Sequence, residues 1–209
     1  MFSRFVAGVG IVLASMSPAT AYGAGAPGSS QGENNLQLFR SIQRKVLEYP
    51  HYTIFDTVSA EIDSGVVTLT GKVTMPYKRQ EIEKRVNGIN GVREIRNLIE
   101  VLPASKSDDE LRLAIARAIY NNPTFRPLAS HVNPPIHIIV ERGRVTLLGV
   151  VMSHGDRLLA RSIARSFDAF DVKDELKTEA EAQGELLRSP NGSLDAAEDV
   201  RVRNGRTGL

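Results

Sequence analysis

Cysteine is absent from all 209 residues, and that absence removes several possibilities. No disulfide can staple the fold in an oxidising compartment, no thiolate can hold metal, and no thiol exists to carry a lipoprotein anchor. Histidine is scarce. His51, His131, His137 and His154 are the only four, and none stands at metal-ligand spacing, so no metal and no other cofactor is expected. A G-x-S-x-G nucleophile elbow is missing, as is the Gly-rich strand-to-helix run that cradles phosphate. Asp171, Asp174 and Glu175 cluster, but carboxylates on a strand edge read as a solvated face. No catalytic residue is assigned and the chain is expected not to be an enzyme. Charge of one sign is also lacking: 26 basic against 24 acidic side chains leave a net charge of +2, which excludes a nucleic-acid footprint.

What is present is a pattern that occurs twice. Residues 58–73 read V-S-A-E-I-D-S-G-V-V-T-L-T-G-K-V, and residues 136–151 read I-H-I-I-V-E-R-G-R-V-T-L-L-G-V-V. Without a gap, Gly65 aligns with Gly143, Thr68-Leu69 with Thr146-Leu147, and Gly71 with Gly149. An internal repeat of this length means two copies of one small domain. With no disulfide, each copy must be held by its own apolar core or by packing on its twin.

The N-terminus reads as a secretory signal. Arg4 precedes an apolar stretch over 5–16, too short to span a bilayer, and Ala19-Thr20-Ala21 supplies a small-x-small cleavage pattern. Residues 1–21 are therefore expected to be removed on export, with 24–26 as a second possible site. A Gly/Ser/Pro-rich flexible leader is expected over 22–35.

The first domain is expected over 36–102. Phe39, Ile42 and Val46 recur at helical spacing, and Pro50 ends that helix. Val58, Ala60 and Ile62 alternate with polar residues as one strand of a hairpin turned at 63–65, and Val67, Leu69 and Val73 return. Pro76 opens a second helix whose buried stripe is Ile82, Val86 and Ile89. A third strand is expected over 92–101. After a linker at 103–107, the second domain, 108–178, repeats the order. Its first helix carries Leu111, Ile115 and Ile119, its hairpin spans 136–150, its second helix runs over 154–167 with Leu159, Ile163 and Phe167 buried, and its last strand covers 170–178. Residues 179–209 read as a mostly disordered tail with a brief helical stretch near 179–187. Gly71 and Gly149 fall on buried strand faces, where close packing of a helix backbone or a bulge would require glycine.

The motif x-G-x-V-T-L-x-G-x-V, followed by a helix and then V-N-G-I-N-G-V-R-E-I-R-N-L-I-E-V at 86–101, resembles the BON domain, a family named for bacterial osmotically inducible periplasmic and nodulation proteins. The second copy is similar through 133–147, but reads Asp168-Ala169-Phe170 where the first has Asn90-Gly91-Val92. The resemblance implies an α+β fold: two tandem small α/β sandwiches, each helix-strand-strand-helix-strand, with a three-stranded mixed sheet covered by two helices. It also implies an exported protein of the periplasm that binds phospholipid surfaces or envelope components, in osmotic or envelope stress. A chaperone or protein-interaction role is the alternative that it leaves open.

Two features of the residues bear on partners. Arg157, Arg161 and Arg165 form a straight stripe at i, i+4, i+8, expected to face water, where it could meet anionic phospholipid or serve only as a solubilising face. On the outward sheet faces, Glu61, Thr70 and Lys72 of the first copy become Ile139, Leu148 and Val150 in the second. An apolar patch of that kind marks an interface, expected to be covered by the first domain, the C-terminal segment or a partner protein.

Overall fold

A computed structural model describes Ile11–Val12 and residues 28–188. The signal cleavage site and residues 189–209 of the expected tail lie outside the described residues. In chain order the elements are β1 (Ile11–Val12), α1 (Gly28–Leu47), β2 (Thr57–Asp63), β3 (Val66–Val73), α2 (Pro76–Asn87), β4 (Glu94–Asn97) and β5 (Glu100–Val101). There follow α3 (Lys106–Asn121), a 3-10 turn at Arg126–Ser130, β6 (Ile136–Glu141), β7 (Arg144–Val151), α4 (His154–Arg165), β8 (Asp171–Thr178) and α5 (Glu179–Arg188).

Alternating apolar residues dictate the hairpins, and the helices supply what covers them. In each domain the first two strands pair antiparallel and the last returns parallel to the second, giving a mixed sheet. In the first domain β4 and β5 both pair with β3, while β1 lies parallel beside β2, opposite Ala60 and Glu61. Val67 and Leu69 meet Ile42, Val46, Ile82 and Val86 in one core. Val145 and Leu147 meet Ile115, Ile119, Ala160 and Ala164 in the other. The α+β fold of two tandem sandwiches is as the resemblance implied.

The repeat extends to backbone detail. Both hairpins turn on two left-handed residues, Ser64-Gly65 and Arg142-Gly143, the turn geometry that matches strand twist. Arg142 has no glycine's freedom, and here the Asp108 carboxylate accepts from the N–H groups of both Arg142 and Gly143 at 2.7 and 2.8 Å. Gly71 and Gly149 have φ of 125° and 124°, and an added Cβ would sit 2.1 Å from the Thr57 carbonyl or 1.8 Å from the Pro135 carbonyl. The nearest atoms thus belong to the adjoining strand and the residue leading into it rather than to a helix.

Several boundaries differ from expectation. Helix α1 begins at Gly28, so the flexible leader expected over 22–35 is helical from residue 28; composition discourages helix locally, but a chain already helical over a buried face propagates at low cost. The strand expected over 92–101 breaks at Leu98, because the Asn97 side chain accepts from Ile99 N–H at 3.1 Å and turns the chain, leaving Leu98 exposed. Helix α4 stops at Arg165, and its deeply buried residues are Ala160 and Ala164. Leu159, Ile163 and Phe167 flank them, half-buried, because only small side chains let the helix sit close to the sheet. The brief helical stretch expected near 179–187 is present as α5, which Thr178 and Glu181 cap reciprocally at 2.8 and 3.2 Å.

Candidate functional site

The outward face of β6 meets the first domain residue by residue. Strand parity puts Ile136, Ile138 and Val140 in the core and His137, Ile139 and Glu141 on the other side. The His137 ring nitrogen Nδ1 donates to the Asp56 carbonyl at 2.7 Å, and the ring lies 5.7 Å from that of Tyr52. Ile139 and Leu148, each 4% exposed, pack with Leu102 from the end of the first domain. Glu141 pairs with Lys72, which also reaches Glu100 at 3.5 Å. Burial works against the Lys72 ammonium, but bonding and attraction from Glu141 and then Glu100 outweigh it, so its pKa sits above the ordinary value. Of the polar triplet, Lys72 thus reaches across to Glu141, and of the apolar triplet, Ile139 and Leu148 are covered by Leu102. Val150 remains half-exposed.

The edge of β6 is covered as well. Its backbone groups need partners, and they find them outside any sheet. Tyr120 Oη donates to the Ile136 carbonyl at 2.7 Å and accepts from Ile136 N–H at 3.1 Å. Ile138 N–H donates to the Ile54 carbonyl of the first domain at 2.7 Å, and Arg112 reaches the Val140 carbonyl at 3.4 Å. Ile54 and Phe55 pack against the second core, and Asn133 donates across the junction to the Leu47 carbonyl at 3.2 Å.

What shapes the 53–57 segment for this docking is a buried polar node. Asp56 is fully buried. One carboxylate oxygen accepts from Thr53 N–H and Oγ1, both at 2.8 Å, and from Lys78 Nζ at 2.6 Å. The other accepts from Thr74 N–H at 2.8 Å and Oγ1 at 2.9 Å. In the second copy the residues aligned with Asp56, Thr74 and Lys78 are Pro134, Met152 and Asp156. The node is thus confined to the first repeat, and Met152 is left 74% exposed. Beside the node, a groove of about 340 Å³ runs between the domains, lined by Phe55, Met75, Tyr77 and Lys78 on one side and Asp109, Arg112 and Leu113 on the other.

The arginine stripe does not stay together. Arg157 Nε donates to Asp174 at 3.0 Å and its Nη1 lies 3.6 Å from Glu181. In the first copy the aligned Arg79 donates to the Asn97 carbonyl, Asn97 being the counterpart of Asp174. Asn97 and Asp174 each also accept from the N–H two residues on. Arg157 is therefore the staple of helix to last strand, and the expectation that it faces water is corrected. Arg161 is half-exposed with its Nε buried and without a hydrogen-bond partner, and Arg165 is exposed. Leu158, 63% exposed, shares their face at i, i+3, i+7.

Of the carboxylate cluster, Asp174 holds Arg157 and Glu175 pairs with Lys173. Among the described residues no group of three or more His, Asp or Glu could hold a metal ion, and no helix is long and apolar enough to cross a membrane. The residues overlooked in the sequence are Asp56, Lys78 and His137. Parity could have found His137, two residues before Ile139 on the same face; nothing local announces the Asp56–Lys78 pair, 22 residues apart.

Comparison with known proteins agrees with this duplicated geometry. The BON domain matches residues 40–103 and again 107–182. Osmotically-inducible protein Y of Escherichia coli (strain K12) is 32% identical over 124 residues, 58% of this chain and 61% of that protein, so the match spans less than two thirds of the relative. Among solved structures, the C-terminal domain of CdsD, a structural protein of the type III secretion system of Chlamydia trachomatis, aligns over 75% of this chain and 73% of its own at 14% identity and a TM-score of 0.27. With two matches in tandem that together cover well over half of its length, the chain belongs to the BON-domain family.

Proposed function

We propose that this is an exported periplasmic protein that acts by contact, binding anionic phospholipid at the envelope through α4 of the second domain under osmotic or envelope stress. The osmotic and periplasmic part of the reading is supported by the name of the E. coli relative and by the family. The observation that carries the lipid part is the outward face of α4, where exposed Leu158, half-exposed Arg161 and exposed Arg165 share one side. An apolar side chain beside cations suits the boundary between headgroups and acyl chains. Arg157 is left out of the binding set. With about 1 kcal/mol per basic residue near an anionic surface, the two remaining arginines supply roughly 2 kcal/mol, a factor of about 30 in affinity. Flotation with vesicles containing or lacking phosphatidylglycerol tests this. Arg161→Ala with Arg165→Ala should weaken association by about that factor, and salt should do the same. Binding that ignores both lipid charge and salt would defeat the reading.

The second reading is a chaperone or protein-interaction role. It is favoured by Met75, Tyr77 and Leu113, all more than two-fifths exposed along the groove between the domains. The face bearing Ile139 and Leu148 is occupied by Leu102, which directs a protein partner to the groove. Suppressed aggregation of an unfolded envelope protein, lost in Tyr77→Asp with Leu113→Asp, is the outcome that would favour it.

A further inference from the structure

His137 is the one histidine buried where the two domains meet, 4% exposed and bonded to the main chain of the opposite domain. A carbonyl only accepts, so the proton of the neutral ring resides on Nδ1 and a second proton must go to Nε2. We propose that His137 makes domain docking acid-sensitive: protonation at Nε2 releases the first domain from β6 and uncovers Ile139 and Leu148.

The charged groups around the ring are already committed. The Asp56 carboxylate carries five hydrogen bonds, one of them from Lys78. Further along the same face Glu141 is held by Lys72, with Glu100 beside it. On β8, beyond Leu148, Glu175 pairs with Lys173 at 2.5 Å, Lys177 is half-buried nearby, and at the edge Arg112 pairs with Asp109 from α3. Tyr52 presents its ring. Burial disfavours the imidazolium, and the bond to the Asp56 carbonyl and the Asp56 charge favour it without prevailing, so the docked ring holds its second proton less readily than a free one.

The sign follows from linkage. Undocking returns the ring to water and its ordinary pKa of about 6.5. Docking is therefore fully favoured above that value and weakens as the pH falls from it towards the lower docked value, by at most about tenfold per pH unit. The contacts that would part are the His137–Asp56 bond with the Tyr52 ring beside it, one backbone bond from Ile138 to Ile54, the Leu102 cluster, the Lys72–Glu141 pair and the Asn133 bond. Each domain keeps a core of its own when they do, apart from Ile54 and Phe55, which leave the second.

The test is NMR on the full chain between pH 7.5 and 5.0, following the His137 ring proton and the amide exchange of Ile138, corrected for intrinsic pH dependence. The expected result is a His137 midpoint below 6.5 and an Ile138 protection factor that falls as much as tenfold per unit below it, while Leu147 in the central strand stays protected. His137→Gln keeps a donor for the Asp56 carbonyl and does not titrate, so its Ile138 protection should be flat. A midpoint at or above the ordinary value, constant Ile138 protection in the wild type, loss of Leu147 protection together with Ile138, or an acid step retained in His137→Gln would each overturn the proposal. Should the glutamine variant fail to dock at any pH, the wild-type titration decides alone.

Discussion

Replacing Asp56 with alanine should be the most damaging single polar change in the first domain. The carboxylate is fully buried and takes five hydrogen bonds. Once it is gone, Lys78, 4% exposed, keeps only Thr74 Oγ1 at 2.7 Å as a partner. Removing one member of a buried pair costs about 3–5 kcal/mol, because the other charge is left uncompensated. For a domain of this size each kcal/mol lowers the midpoint of thermal unfolding by about 4–8 °C, so the first transition should move down by roughly 12 °C at the least. Lys78→Met should cost less: the orphaned carboxylate still holds four donors from Thr53 and Thr74. The double variant Asp56→Ala, Lys78→Met should recover part of the loss, since no buried charge then remains. Urea unfolding of the three variants measures this ordering. A cost below about 1 kcal/mol for Asp56→Ala, or a larger one for Lys78→Met, would refute the account of the node.

Ile139→Glu with Leu148→Thr should open the junction while leaving both cores folded, since each apolar side chain contributes about 1.5–3 kcal/mol when buried; unchanged exchange at Ile138 would count against the interface. Gly149→Ala should cost about 3 kcal/mol or more through a Cβ driven into the Pro135 carbonyl at positive φ, and chemical denaturation reads it directly. Arg157→Ala should lower stability of the second domain and leave vesicle binding almost intact, which separates the staple from the proposed lipid face in a single flotation and melting experiment. Hydrogen bonds from Thr178 hold the Glu181 carboxyl below the usual carboxylate range. The cap on α5 is therefore present above the ordinary value near 4.5 and lost as the pH falls through the lower folded value; amide exchange at Thr178, whose N–H donates to that carboxylate, should rise there, and insensitivity to acid would exclude the cap.

The two domains differ in which surfaces they complete. The first carries the Asp56 node, which shapes a docking segment, and its own outward strand face is polar, with Ser59 and Glu61 where the second has His137 and Ile139. A head-to-tail contact between identical repeats could propagate into a fibre. Here the two repeats are not equivalent, because the second lacks the node and the first lacks the apolar receiving face.

The sequence alone determined the duplication, the strand alternation and the helical stripes, because side-chain period in a strand or helix is a property of a few neighbouring residues. It also determined the turn glycines, since positive φ is a local demand, and it marked Ile139 and Leu148 as needing cover. Only the tertiary structure decided what covers them. Leu102 lies 37 residues before Ile139, and Asp56 meets His137 across 81 residues; such contacts depend on how two separately folded cores come to rest on each other. The same limit divided the arginines. Spacing made Arg157, Arg161 and Arg165 look equivalent, but β8 brings Asp174 to Arg157 alone, and a strand returning from elsewhere in the chain leaves no trace in a helix's own period.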